Sequence, residues 1–133
     1  MSLRYLLDTN IVSHIMQGRD ITLLHKLSTV SVGSVGISSV TLAELEYGWH
    51  RKGKPERLKH SLIQVLLRVD VLPWDDTVAR CFGELRSAWE AKGISLDALD
   101  MMIAAHAVAV GATLVSRDKA FGQVPDRLAV EVW

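Results

Sequence analysis

Four acidic residues occupy positions at which carboxylates can do chemistry. Asp8 ends a short apolar run, and Asp118 follows a late one. Glu44 and Asp100 each lie in the first turns of a predicted helix. Hard cations such as Mg²⁺ and Mn²⁺ prefer carboxylate ligands, and packed carboxylates repel one another unless a cation compensates them. The set predicts a divalent-metal site, whose usual chemistry is hydrolysis of phosphate esters by an activated water.

Asp100 is the most informative of the four because it shares a helical face with apolar residues. In LDALDMMIAAHA, residues 96–107, Asp100 stands with Ile103, Ala104 and Ala107 at the i, i+3, i+4, i+7 spacing of one face. Such a face packs inward, so a carboxylate on it is expected to face a metal. Asp97, one turn earlier, is expected to be the N-cap, with a further site carboxylate as the alternative.

Each carboxylate also has an ordinary structural interpretation. Asp8 can cap the helix that follows it, and Asp118 fits a turn. A helical glutamate such as Glu44 is often solvated, and Asp100 can interact favourably with the helix dipole. The four together favour a site only if the fold brings them to one place.

The elements that must position these residues alternate between strands and helices. Strands are predicted at 4–8, 35–39, 69–74, 112–116 and 128–133. Helices are predicted at 11–18, 20–30, 41–53, 56–69, 75–93 and 96–111. The alternation predicts one α/β domain over residues 1–133, with a mostly parallel sheet and helices on both faces. Ligands of such sheets bind beyond the carboxyl ends of the strands, where three of the acids fall. Asp100 joins them if its helix starts at that edge.

Composition excludes some classes of protein. The 133 residues are 49% hydrophobic and 23% charged, as in ordinary globular domains. Fifteen basic and fifteen acidic residues balance, so gross charge predicts neither nucleic-acid nor membrane binding. A single cysteine, Cys81, allows no intrachain disulfide, and no signal-peptide or membrane-spanning pattern is found. These features predict a cytoplasmic protein. The five histidines form no metal motif, and His106 is expected to be peripheral.

Segments around the four acids resemble the PIN-domain ribonucleases, specifically the VapC-type toxins of toxin–antitoxin systems. In the order of that family they are LLDTNIVS, SSVTLAELEYG, LDMMIAAHAVAVGATLVSRD and LAVEVW. The resemblance covers essentially the whole chain and implies a PIN-like three-layer α/β/α sandwich. It also implies a Mg²⁺- or Mn²⁺-dependent endoribonuclease, with tRNA as the first expectation for the substrate and ribosomal RNA as the second.

The resemblance assigns roles to individual residues. The family's four acids fall on Asp8, Glu44, Asp100 and Asp118. Asp8 and Asp100 would be the principal metal ligands. Glu44 would be a further ligand or would orient the attacking water, and Asp118 would complete the outer shell or a second metal site.

Other positions are implied to support the acids or to contact partners. Asn10 and Ser116 occupy positions of small polar residues that help to hold the acidic cluster. The basic residues with the best placement for RNA phosphates are Arg117, Lys119, Arg86, Arg51 and Lys52. A solvated surface is the alternative for the basic run 49–60.

A small VapB-type antitoxin and a second copy of this chain, as a homodimer, are the implied protein partners. Tyr47 and Trp49 fall on the helix that, with its neighbour, lines the antitoxin groove in the family. Because aromatic residues are enriched at binding hot spots, both are candidates for the antitoxin interface.

Two other functions remain open from the sequence. A phosphatase with an aspartyl nucleophile also begins with a strand that ends in Asp, but it usually needs a second Asp two residues on, where this chain has Asn10. A catalytically silent PIN-like module that binds RNA or protein is the non-enzyme alternative. The presence of all four acids favours the nuclease.

Overall fold

Strands and helices alternate along the chain in the predicted order. The computed structural model describes residues 2–133. Its strands are β1 (Tyr5–Leu7), β2 (Val35–Ser38), β3 (Asp70–Leu72), β4 (Thr113–Val115) and β5 (Val130–Glu131). Its helices are α1 (Thr9–Gln17), α2 (Ile21–Thr29), α3 (Ser39–Arg51), α4 (Glu56–Arg68), α5 (Asp76–Ala91) and α6 (Ala98–Ala109). A short 3₁₀ helix at Lys119–Gln123 is the one element in this part of the chain that the pattern did not predict.

The five strands form one parallel sheet in the order β3-β2-β1-β4-β5. In its centre Leu6 of β1 pairs with Gly36 of β2 and with Leu114 of β4. The chain runs from β1 outward through β2 and β3, then continues with β4 and β5 on the other side of β1. The order therefore reverses between β1 and β4, and ligands of parallel sheets bind beyond the strand ends at such a point.

Helices cover both faces of the sheet and enclose two apolar cores. Because side chains alternate along a strand, Tyr5 and Leu7 point into one core while Leu6 points into the other. The first core lies under α1, α2 and α4, and the second lies under α5 and α6. The fold is thus the α/β sandwich with a parallel sheet that the sequence predicts. Among residues 2–133, no helix is long and apolar enough to cross a membrane.

Several acidic residues of the chain are helix N-caps. Five of the six helices begin at an Asp or Ser whose side chain accepts a hydrogen bond from a backbone N–H in the first turn, the cap residues being Asp8, Asp20, Ser38, Asp75 and Asp97. The sixth, α4, follows Pro55 and has no such bond. Asp8 directly follows β1 and Ser38 is the last residue of β2, so these two caps bring polar side chains to the carboxyl edge of the sheet.

Candidate active site

Asp8 lies at the carboxyl end of β1, and both of its carboxylate oxygens accept hydrogen bonds. Oδ1 accepts from the backbone N–H of Ile11, at 2.9 Å, which caps α1. Oδ2 accepts from the hydroxyl of Ser116. The side chain is buried. Asp8 therefore caps a helix, and the cap and the bond from Ser116 hold its carboxylate in one orientation.

Ser116 joins the acid of the first strand to the loop that follows the fourth. It lies just beyond β4, is buried, and donates to Asp8. Its Oγ also accepts from the backbone N–H of Asp118, at 3.0 Å. Asp118 is exposed and caps the 3₁₀ helix, because its Oδ1 accepts from the backbone N–H of Ala120 at 2.9 Å. Ser116 thus fixes the start of this loop against Asp8.

Glu44 is held from α1 by Thr9. The Thr9 hydroxyl donates to Glu44 Oε1 at 2.6 Å and lies 3.1 Å from the hydroxyl of Thr41. Asn10, the neighbour with the predicted supporting role, is exposed, and its side chain makes no hydrogen bond within residues 2–133. Thr9 is the supporting residue that the sequence reasoning missed. The available signal was a hydroxyl directly after the first acid.

Asp100 lies in the first turn of α6 and is partly buried. Asp97 is the N-cap, as the sequence predicts, and its Oδ1 accepts from the backbone N–H groups of Leu99 at 2.8 Å and Asp100 at 3.3 Å. Because α6 leads into the amino end of β4, its first turn lies at the carboxyl edge of the sheet, as the predicted site requires.

The other predicted acids lie within electrostatic reach of Asp100. The pKa of Asp100 is raised to about 6, first by burial and then by repulsion from nearby carboxylates, which are those of Asp97, Asp118, Asp8 and Glu44. Burial also raises the pKa of Asp8, although its hydrogen bonds from Ser116 and Ile11 act in the opposite direction. A cluster of carboxylates that resists ionisation is stabilised by a bound cation.

The donor set fits a hydrated ion better than a fully protein-ligated one. Within residues 2–133, no three Asp, Glu, His or Cys side chains lie close enough together to hold one metal ion. Mg²⁺ usually keeps several waters and takes one or two carboxylates from the protein. The oxygen donors of Asp8 and Asp100, with the other acids in electrostatic reach, suit that arrangement.

Of the five basic residues predicted to contact RNA, two form salt bridges within residues 2–133 and three do not. Arg117 pairs with Asp20 at 2.7 Å and donates from Nε to the backbone oxygen of Trp133 at 2.8 Å. Arg86 pairs with Glu90 at 3.2 Å. The other three candidates are exposed and form no salt bridge within residues 2–133, namely Lys119, Arg51 and Lys52.

A groove of about 520 Å³ lies between α1, α3 and α4, and Thr9 and Glu44 are among the residues that line it. Its lining includes apolar side chains and basic ones, among them Met16, Leu45, Leu58, Arg19, Lys52 and Arg57. Neither aromatic candidate lines it. Tyr47 is 63% exposed. Trp49 closes the α3–α4 turn, since its Nε1 donates to the oxygen of Pro55 at 3.0 Å and Lys59 Nζ lies 4.5 Å from its ring centroid.

His106 is not peripheral. It is fully buried, and its Nδ1 lies 2.8 Å from Ser38 Oγ in a hydrogen bond. The sequence pattern assigned α6 one inward face, but every residue from Ile103 to Ala107 is buried. Because α6 is buried on most sides, His106 is buried although it lies outside the face predicted to point inward.

Comparisons with known proteins agree with this geometry. The profile of the PIN domain family matches residues 5–127. Ribonuclease VapC2 of Rickettsia felis is 34% identical over 131 residues, which cover 97% of each chain. The tRNA(fMet)-specific endonuclease VapC of Shigella flexneri is 30% identical over 131 residues, which cover 98% of each chain.

Solved structures give the same family. VapBC2 of Rickettsia felis, bound to a DNA fragment from its promoter, superposes with a TM-score of 0.87 at 30% identity and covers 98% of this chain and 99% of its own. DNA-bound VapBC of Salmonella typhimurium gives a TM-score of 0.90 at 29% identity, with 98% of each chain covered. With this sheet order and this gathering of acids, the chain belongs to the PIN-domain family, as a VapC-type ribonuclease toxin.

Proposed function

We propose that this protein is a Mg²⁺- or Mn²⁺-dependent endoribonuclease that a VapB-type antitoxin inhibits. The observation that carries the proposal is that Asp100 is partly buried within electrostatic reach of the other acids, so that burial first and their repulsion second raise its pKa to about 6. A divalent cation bound there would polarise the phosphodiester and favour ionisation of the attacking water. Asp8 and Asp100 are its proposed principal ligands, with Glu44 and Asp118 completing the site directly or through water.

The chain's own residues orient the reacting groups. Asp8 is held by two hydrogen bonds, so its oxygens need no reorganisation on binding. Glu44 uses Oε1 to accept from Thr9, and its Oε2 accepts no side-chain hydrogen bond within residues 2–133. Glu44 Oε2 is therefore the proposed acceptor that orients the attacking water. The water gives a proton to Glu44 Oε2 and its oxygen bonds to phosphorus. The P–O3′ bond breaks, and O3′ takes up a proton from solvent, which leaves a 3′-hydroxyl and a 5′-phosphate.

Transfer RNA is the proposed substrate class, and ribosomal RNA is the second candidate. The support is a relative from Shigella flexneri, named a tRNA(fMet)-specific endonuclease, which matches 98% of this chain. Among the basic candidates, Lys119 follows Asp118 directly, and Lys52 lines the same groove as Glu44. Arg117 and Arg86 would first have to leave Asp20 and Glu90, so we propose Lys119 and Lys52, with Arg51, as the first phosphate contacts.

The groove between α1, α3 and α4 is the proposed antitoxin site. The solved VapBC complexes of Rickettsia felis and Salmonella typhimurium support an antitoxin partner for this fold. A segment that fills the groove would pass Glu44 and block access to the acids. Tyr47, exposed on α3, would extend that contact, whereas Trp49 would support the turn beneath it. A homodimer and a cytoplasmic location complete the proposal.

The experiment is incubation of total cellular RNA with wild type and with Asp100→Asn, each in Mg²⁺, in Mn²⁺ and in EDTA. We expect discrete fragments from wild type with metal only, and the fragments identify the substrate. If both folded proteins leave all RNA intact, the catalytically silent binding module replaces this proposal. One observation favours that alternative. Among residues 2–133, no three metal-binding side chains lie within direct reach of one ion.

A further inference from the structure

A buried hydrogen bond links the helix of Asp100 to the start of the helix of Glu44. His106 of α6 and Ser38, the last residue of β2, are both completely buried. The His106 Nδ1 atom lies 2.8 Å from Ser38 Oγ. The same oxygen accepts from the backbone N–H of Val40 at 3.0 Å and so caps α3. One serine therefore connects α6 to the first turn of α3.

A second bridge lies beside the first and joins the same two helices. The backbone N–H of Trp74 donates to Ser39 Oγ, and its indole Nε1 donates to the backbone oxygen of Met102, both at 3.0 Å. Ser39 begins α3, and Met102 lies two residues after Asp100. The two bridges together hold the start of α3 against the middle of α6, between Met102 and His106.

His106 lowers the stability of the fold at this position. Its Nε2 atom is buried and has no hydrogen-bond partner within residues 2–133. A buried polar atom without a partner destabilises a fold, and an apolar side chain of similar volume would remove the penalty. The side chain is thus poorly explained by stability, and its one hydrogen bond, to Ser38, points to a different role.

We propose that His106 is a positioning residue: through Ser38 it sets the separation of α3 and α6 at which Glu44 and Asp100 act on one divalent cation. The inference rests on the proposed metal-dependent nuclease. His106 does not touch the carboxylates itself. It acts on the acids only through the helices that carry them, as residues that orient metal ligands do.

The test is Mn²⁺ affinity measured by isothermal titration calorimetry without RNA, together with the melting temperature of each variant. His106→Leu keeps the volume and loses the hydrogen bond, so we expect Mn²⁺ to bind roughly 10-fold more weakly in a protein that melts no lower than wild type. His106→Asn places an amide where Nδ1 was but leaves a void. We expect it to melt lower and to keep the affinity within about threefold of wild type.

Two further variants separate positioning from folding. Ser38→Gly removes the same bond from the other side while keeping a tolerated N-cap, and it should weaken Mn²⁺ binding as His106→Leu does. Ser34→Ala removes another buried hydroxyl, which donates to the Ser31 oxygen at the opposite end of β2, and should leave Mn²⁺ affinity unchanged.

The outcomes distinguish this inference from the function on which it rests. If wild type binds Mn²⁺ and both His106→Leu and Ser38→Gly bind it equally well, the positioning role is overturned and the nuclease proposal stands. If wild type itself binds no Mn²⁺ and cleaves no RNA, the nuclease proposal is overturned. Weaker binding in both variants, with His106→Asn close to wild type, supports the inference even if one variant folds poorly.

Discussion

Replacing Asp100 with Asn should stabilise the metal-free protein while abolishing its chemistry. The pKa of Asp100 rises from its ordinary value of 3.8 to about 6, first through burial and then through four neighbouring acids. That difference corresponds to about 3 kcal/mol against the ionised form. Because the side chain is partly exposed, screening by solvent reduces the expected effect to about 1.5 kcal/mol. Asn keeps the shape and removes the charge.

The sign of the effect depends on pH. The pKa is higher in the folded state than in the unfolded chain, so the ionised carboxylate destabilises the fold. That penalty is complete above about pH 6 and disappears as the pH falls towards 3.8. In EDTA at about pH 7.5, Asp100→Asn should therefore melt roughly 5 °C above wild type. Near pH 4 the two proteins should melt together.

Thermal unfolding followed by circular dichroism tests this expectation, with and without Mn²⁺. Mn²⁺ should raise the melting temperature of wild type and leave Asp100→Asn unchanged, because binding to the folded state stabilises it. Asp126→Asn is the control, since hydrogen bonds from Lys92 and Trp89 lower the pKa of Asp126 and its loss should not stabilise the protein. An Asp100→Asn protein that melts lower than wild type in EDTA at neutral pH would refute the reasoning.

Three further predictions concern residues that support the site. Thr9→Val keeps a β-branched shape but releases Glu44, so single-turnover RNA cleavage should fall roughly 10-fold, whereas Asn10→Ala should cleave like wild type. Ser116→Ala removes the hydrogen bond to Asp8, so the free energy of unfolding, measured by urea titration, should fall by about 1–3 kcal/mol. An unchanged free energy of unfolding would mean that the hydrogen bond is not formed. Burial lowers the pKa of His106 from 6.5, so the free energy of unfolding of wild type should decrease as the pH falls below that value. His106→Leu should lose less stability over the same pH range. An equal loss in both proteins would contradict the burial of a neutral His106.

The sequence predicted the parts of this structure that depend on local pattern. Short apolar runs predicted all five strands, and the apolar face of residues 96–107 predicted α6. Asp97 was identified as a cap because an aspartate before a helical pattern satisfies free N–H groups. The carboxyl-edge rule then predicted that the acids would meet, since it requires only the order of strands and helices.

Details that depend on packing between distant elements could not be predicted. Whether Thr9 or Asn10 reaches Glu44 depends on how α1 rotates against α3, and the sequence holds no direct measure of that rotation. Arg117 forms a salt bridge with Asp20, almost a hundred positions earlier in the chain. The sequence alone could not show that this arginine is already paired. The burial of His106 follows from the packing of α6 against several elements, which a single-face periodicity does not describe.

The central claim is that the acidic cluster cleaves RNA with the help of a divalent cation. Its most direct test is cleavage of purified, end-labelled tRNA by wild type in Mn²⁺, by wild type in EDTA, and by Asp100→Asn in Mn²⁺, with analysis of the fragment ends. The account predicts discrete fragments that carry 3′-hydroxyl and 5′-phosphate ends in the first reaction alone. Equal cleavage in EDTA, or by Asp100→Asn, would contradict it.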